Sequence, residues 1–102
     1  MATIMIPFNE WSKERLRSGK KTCTCRRKPY GKLGDTFVVE GKTYTLTDVM
    51  QTRLSEVAED WYSFEGCNTS EEFKQVWRLI HRKIGYVPQM VVYLHCFELL
   101  EG

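Results

Sequence analysis

From Met90 to Leu100 nearly every residue is apolar whichever face of an extended strand it falls on, with Val91, Tyr93 and Phe97 on one side and Met90, Val92, Leu94 and Cys96 on the other. A strand sends successive side chains to opposite faces, so a run of this kind must be covered on both. The segment is therefore expected to be the central strand, lying between a helix and a barrel interior. The chain has 102 residues, 42% of them hydrophobic. That is enough for one domain and one core, and too little for a second.

The remaining elements follow from changes in apolar period. Asn9 is a suitable N-cap for a short helix lined by Trp11 and Leu16, which runs to Ser18 and stops at Gly19. From Thr22 the period becomes two, with Thr22, Thr24 and Arg26 on one strand face and Cys23 and Cys25 on the other. Lys28 to Gly31 reads as a turn, and Gly34-Asp35 opens a second strand through Val39. Glu40-Gly41-Lys42 is a hairpin turn, followed by a third strand from Thr43 to about Thr52 that is rich in β-branched residues. Leu54 to Trp61 reads as a short helix and Tyr62 to Asn68 as a loop. Phe73, Val76, Trp77 and Ile80 give the i, i+3, i+4, i+7 stripe of a further helix, expected to end near Gly85. The order α β β β α α β predicts an α+β domain over residues 1–102: a small, partly closed β-barrel with helices at its rim.

The longest uncharged stretch, Ile84 to Phe97, is shorter than a membrane span and is interrupted by Pro88, Gln89 and His95, which excludes a transmembrane helix there. Residues 1–12 lack a cationic start followed by a long apolar run, so a cytoplasmic location is expected, with the four cysteines as free thiols. Net charge is only +2, but its distribution is uneven. Lys13 to Lys32 holds nine bases and the single acid Glu14, whereas Leu54 to Phe73 holds Glu56, Glu59, Asp60, Glu65, Glu71 and Glu72 and no base. A stripe formed by Lys20, Thr22, Arg26, Arg27 and Lys28 suits a polyanion such as RNA, unless the basic and acidic segments simply face each other or water.

The densest chemistry lies in Gly19-Lys-Lys-Thr-Cys-Thr-Cys-Arg26, where a cationic helix exit feeds a strand carrying two hydroxyls and a guanidinium. This run resembles the Gly-x-Lys-Thr-x-Thr-x-Arg motif that opens the ASCH domains, a PUA-like family. The Ile-Pro-Phe start, the Gly34-Asp35 strand entry, the helix at Thr69 to His81 and the closing apolar strand fall at similar places. The chain is also similar in length and order to small bacterial members that hydrolyse N(4)-acetylcytidine with a Thr, a Lys and a Glu. The resemblance implies Thr24, Lys21 and Glu72 in those roles, with Glu71 the alternative carboxylate, and RNA or a modified nucleoside as the partner. A threonine hydroxyl is a weak nucleophile and needs an adjacent base. Lys21 would be that base, Glu72 would orient it or carry the proton, and the neighbouring cations would stabilise an oxyanion.

Simpler roles exist for the same residues. Thr69-Ser-Glu-Glu72 reads as a capping box, which by itself accounts for a Glu at that position. Lys20 and Lys21 follow a helix C-terminus, where cations favour the macrodipole. Two non-enzymatic readings use other features: an RNA-binding module in which Trp11, Tyr30 or Trp61 stacks on bases, and a protein-interaction domain that docks through Trp61 to Phe64. Cys23, Cys25, Cys67, Cys96, His81 and His95 lack the paired spacing of structural zinc sites, so no metal and no cofactor is expected. His95 alternates with Tyr93 and Phe97 and reads as a hydrogen-bonded core histidine, and His81 as a helix end.

Overall fold

A computed structural model describes residues 2–100. The elements are α1 (Glu10–Arg17), β1 (Cys23–Arg26), β2 (Thr36–Val39), β3 (Lys42–Arg53), α2 (Leu54–Asp60), α3 (Ser70–Ile80) and β4 (Val91–Leu99). The strands form one antiparallel sheet in the order β1-β4-β3-β2. The doubly apolar strand β4 thus has a neighbour on each side. β3 and β4 slip register between Leu46 and Asp48, leaving Thr47 as an extra residue. A bulge of this kind bends a strand and sharpens its twist. The sheet curls into a half-barrel with three helices around it, an α+β fold.

Burial divides along the faces of β4. Val92 and Leu94 pack with Cys23, Cys25, Leu54, Val57, Ala58, Cys67, Phe73 and Trp77 beneath α2 and α3. Phe97 packs with Ile6, Leu16, Phe37, Val39, Tyr44 and Leu46 on the α1 side. In this second cluster the Phe37, Tyr44 and Phe97 rings lie 5.3–5.6 Å apart and two of the three contacts are edge-to-face, the arrangement that ring quadrupoles favour.

The caps fix where the helices start. Asn9 Oδ1 accepts the Ser12 N–H at 2.8 Å and begins α1. α2 has no side-chain cap. Its first amides donate instead to the carbonyls of Met90 and Pro88, at 2.9 and 3.0 Å, so α2 is anchored to the entry of β4. The β2–β3 turn places Glu40 and Gly41 at φ 50° and 79°, a two-residue hairpin with both central residues left-handed. One boundary differs from expectation: α3 ends at Ile80, not near Gly85. His81 leaves the helical region, and a further turn closes with Gly85 donating to the His81 carbonyl at 2.8 Å. Trp77 Nε1 donates to the Gly85 carbonyl at 3.0 Å and holds that turn against the helix.

Candidate functional site

A cavity of about 740 Å³ opens between β1, the α1 approach and α3. This is within the usual range for small-molecule sites. One wall is β1 with the residues before and after it, which contribute Lys21, Thr24, Cys25, Arg26, Arg27, Lys28 and Tyr30. The opposite wall is the apolar stripe of α3 (Phe73, Val76, Trp77, Ile80) with His81 at its end, and Phe8 and Trp11 flank the α1 side. Arg27 and Lys28 are exposed at the rim.

Three polar side chains in the cavity wall are almost removed from solvent: Lys21 is 4% exposed, Thr24 3% and Glu65 5%. Lys21 Nζ donates to Glu65 Oε1 at 2.9 Å and to the Glu65 carbonyl at 3.3 Å. Backbone pairing between the two residues sets this contact, because Lys21 and Glu65 form an isolated antiparallel bridge. Gly66 makes the approach possible. It sits at φ +92°, and a Cβ there would lie 2.5 Å from Arg15 Cγ. Glu65 Oε2 is buried without a hydrogen-bond partner among the described protein atoms. Burial raises the Glu65 carboxyl above its usual range, against the opposing charge of Lys21.

Thr24 is positioned from both sides. Its Oγ1 accepts from Arg26 Nε at 3.1 Å, and its carbonyl lies 3.2 Å from His95 Nδ1. His95 Nε2 accepts the Tyr30 N–H at 3.0 Å, which fixes the proton on Nδ1 and makes the His95 Nδ1–H the donor to Thr24. Burial keeps His95 below the ordinary imidazole value of 6.5. It is thus the hydrogen-bonded core histidine that its place on the strand implied, and it ties the Tyr30 turn to β1. The Arg26 guanidinium lies 5.0 Å from the Phe8 ring centre and 5.7 Å from that of Tyr30, with Nη2 donating to the Pro7 carbonyl at 2.6 Å. A guanidinium over ring faces is electrostatically favourable and presents a flat, rigid surface.

Several sequence expectations need correction. Glu72 does not line the cavity. Its Oε1 accepts the Asn68 N–H at 2.8 Å while its own N–H donates to Thr69 Oγ1 at 3.0 Å, so its side chain serves the start of α3. Glu71 is exposed and approaches Lys74. The carboxylate in the site is Glu65, in the Tyr62 to Asn68 segment expected to be a loop. Thr22 is not on the Thr24–Arg26 wall: the Thr22 and Cys23 N–H groups both donate to the Phe64 carbonyl, which interrupts the alternation before β1 begins. Thr22 is exposed and lies instead in a separate depression of about 240 Å³ with Leu16, Tyr44 and Phe97. Lys20 is exposed and lines neither space. Lys21 and Thr24 share the cavity, yet no direct hydrogen bond joins them among the described residues. Trp61 and Tyr62 are partly buried against the α2–α3 core, which leaves Phe64, 47% exposed, as the open aromatic of that segment.

Among the described residues no group of three or more His, Cys, Asp or Glu is arranged to hold a metal ion, and no helix is long and apolar enough to cross a membrane. The four cysteines are free thiols, with Cys23, Cys25 and Cys67 buried.

The curled antiparallel half-barrel with its three helices matches the ASCH, PUA-like fold, as comparison with solved structures shows. Among solved structures, an ASCH domain from Lactobacillus crispatus is similar at a TM-score of 0.67 and 16% identity, over 96% of this chain and 78% of that one. A protein from Enterococcus faecalis matches at 0.61 and 21%, over 97% and 78%. A Pyrococcus furiosus protein solved in solution matches at 0.64 and 21%, over 99% and 96%. A scan against protein-family models finds no match, and a search of curated proteins finds none either. At these identities the likeness carries the fold alone.

Proposed function

We propose that the cavity takes the base of an RNA nucleotide or of a modified nucleoside, and that Lys21, Thr24 and Glu65 hydrolyse the amide of an acylated cytidine held there. The observation that carries this reading is that the buried Lys21–Glu65 pair and Thr24 line one cavity, together with Phe8, Trp11, Tyr30, Phe73 and Trp77. Aromatic walls give stacking surface to a base of any sequence, and the basic rim of Arg27 and Lys28 suits a sugar phosphate.

In this account Thr24 Oγ1 attacks the acyl carbon and its proton passes to the Lys21–Glu65 pair. The guanidinium of Arg26, which donates to Thr24 Oγ1, favours negative charge on that oxygen as its proton leaves. The pair then returns a proton to the departing exocyclic amine, and water releases the acyl group from Thr24. His95 is a positioning residue, acting on the Thr24 backbone and not on the substrate.

A binding module without turnover is favoured by one observation: Lys21 Nζ is engaged by Glu65 and Thr24 Oγ1 by Arg26, so the nucleophile and its base are not yet joined. Incubation with N(4)-acetylcytidine and detection of cytidine and acetate by mass separates the two. Turnover that disappears in Thr24→Ala supports hydrolysis. Salt-sensitive RNA binding with no turnover of acetylated nucleoside supports the module.

A further inference from the structure

Cys23 on β1 and Cys96 on β4 stand opposite each other in the ladder. The Phe97 N–H donates to the Thr22 carbonyl at 3.0 Å, just beyond the pair, which makes Cys23/Cys96 a non-hydrogen-bonded position. At such positions paired Cα atoms come within about 4.5 Å and side chains are closest, at the near end of the span that a disulfide bridges. The two Sγ atoms are 3.1 Å apart and hydrogen-bonded. Cys23 is buried, whereas Cys96 is only partly so and can be reached from outside. The next thiol on the same face, Cys25, is opposite Leu94 and has no such partner.

We propose that Cys23 and Cys96 are an oxidation site that a hydroperoxide closes to an intramolecular disulfide between the edge strand β1 and the central strand β4. The two thiols have different parts in it. The hydrogen bond from Cys23 holds Cys96 below the ordinary thiol range, and that bond together with burial holds Cys23 above it. Cys96, the more exposed sulfur and the acceptor of that hydrogen bond, is the one that meets the oxidant.

Its sulfur attacks one peroxide oxygen, the O–O bond breaks, a sulfenic acid forms, and hydroxide leaves to take up the proton that Cys96 released. Cys23 Sγ then attacks Cys96 Sγ: the S–S bond forms, the S–O bond breaks, and the Cys23 proton leaves with the hydroxyl as water. Two thiols lose two electrons and one hydrogen peroxide becomes two waters. The new bond lies one residue from Thr24 and one from His95, so it clamps the strand that carries the cavity wall.

The test is stepwise hydrogen peroxide on the full chain, then alkylation and intact-mass measurement without reductant. The expected product has lost two hydrogens and takes up alkyl groups on two of its four cysteines. Fragmentation should link Cys23 to Cys96, and the oxidised protein should melt at a higher temperature, since the link closes a long loop in the unfolded chain. Cys96→Ser should keep its three remaining thiols alkylatable, Cys23→Ser should stop at a sulfenic acid on Cys96 with no disulfide, and Cys67→Ser should still close. Four alkylatable thiols after treatment would overturn the proposal. So would a link placed on Cys25, sulfinic acid at Cys96 with Cys23 still free, or a disulfide between two chains. If either serine variant fails to fold, the fragment map of the unsubstituted protein decides between these outcomes.

Discussion

Two glutamates seven positions apart do different work. Glu65 is almost fully buried and compensates Lys21, whereas Glu72 lies at a helix start and closes a cap. Removing one partner of a buried pair leaves an uncompensated charge in a dry site, which costs about 3–5 kcal/mol. Loss of a helix cap costs about 1 kcal/mol. Denaturant midpoints should accordingly show Glu65→Ala far more destabilised than Glu72→Ala, and equal losses would contradict the assignment of the buried partner. His95 gives a pH dependence of known sign. Its folded value lies below 6.5, so the unfolded chain binds the proton more readily. Stability is fully present above about pH 6.5 and falls as the pH drops through that value. In His95→Asn the protein should be less stable at pH 7.5 but should lose less between pH 7.5 and 5. An unchanged slope would show that other groups, His81 among them, carry the acid sensitivity.

Among the elements, those defined by periodicity were legible and those defined by pairing were not. The stripe of Phe73, Val76, Trp77 and Ile80 marked α3, and the two apolar faces of Met90 to Leu100 marked the central strand, because both patterns are local consequences of backbone geometry. The Thr24 and Arg26 wall was legible for the same reason. Thr22 was misplaced because two amides share the Phe64 carbonyl, a tertiary event with no local period. Glu65 was missed because its partner Lys21 is 44 residues away and the loop that carries it, Tyr62 to Asn68, has no apolar period to place its side chain. Gly66 was the available hint: a glycine directly after an acid, in a loop that must bring that acid close to another backbone. Gly66→Ala forces a Cβ onto φ +92° and against Arg15, and should destabilise the chain by at least about 1 kcal/mol. A thermal melt as high as that of the unsubstituted protein would mean that the loop relaxes at no cost.

At the scale of the whole molecule, the basic stretch divides into parts with separate fates. Lys21 is paired with Glu65, Arg26 lies against the Phe8 and Tyr30 rings, Lys20 is exposed and lines no part of the cavity, and Arg27 and Lys28 remain at its rim. Phosphate contacts make affinity fall with salt in proportion to the charges engaged. Reversing Arg27 and Lys28 together should weaken RNA binding and flatten its salt slope, whereas reversing Lys20 should change little. Equal effects at all three would mean that the nucleic acid lies across the outer face and not over the cavity.

If Lys21, Thr24 and Glu65 form the proposed reactive set on the cavity wall, turnover needs the charge of Glu65 and not that of Glu72. The rate of N(4)-acetylcytidine hydrolysis by the unsubstituted protein, Glu65→Gln and Glu72→Gln tests it most directly, since glutamine keeps the shape of each side chain and can still accept the capping bond but cannot carry the charge. Glu65→Gln should lose at least about 100-fold in rate, as expected for a lost proton-transfer group, while Glu72→Gln should stay near the unsubstituted rate. Full activity in Glu65→Gln, or its loss in Glu72→Gln, would contradict it.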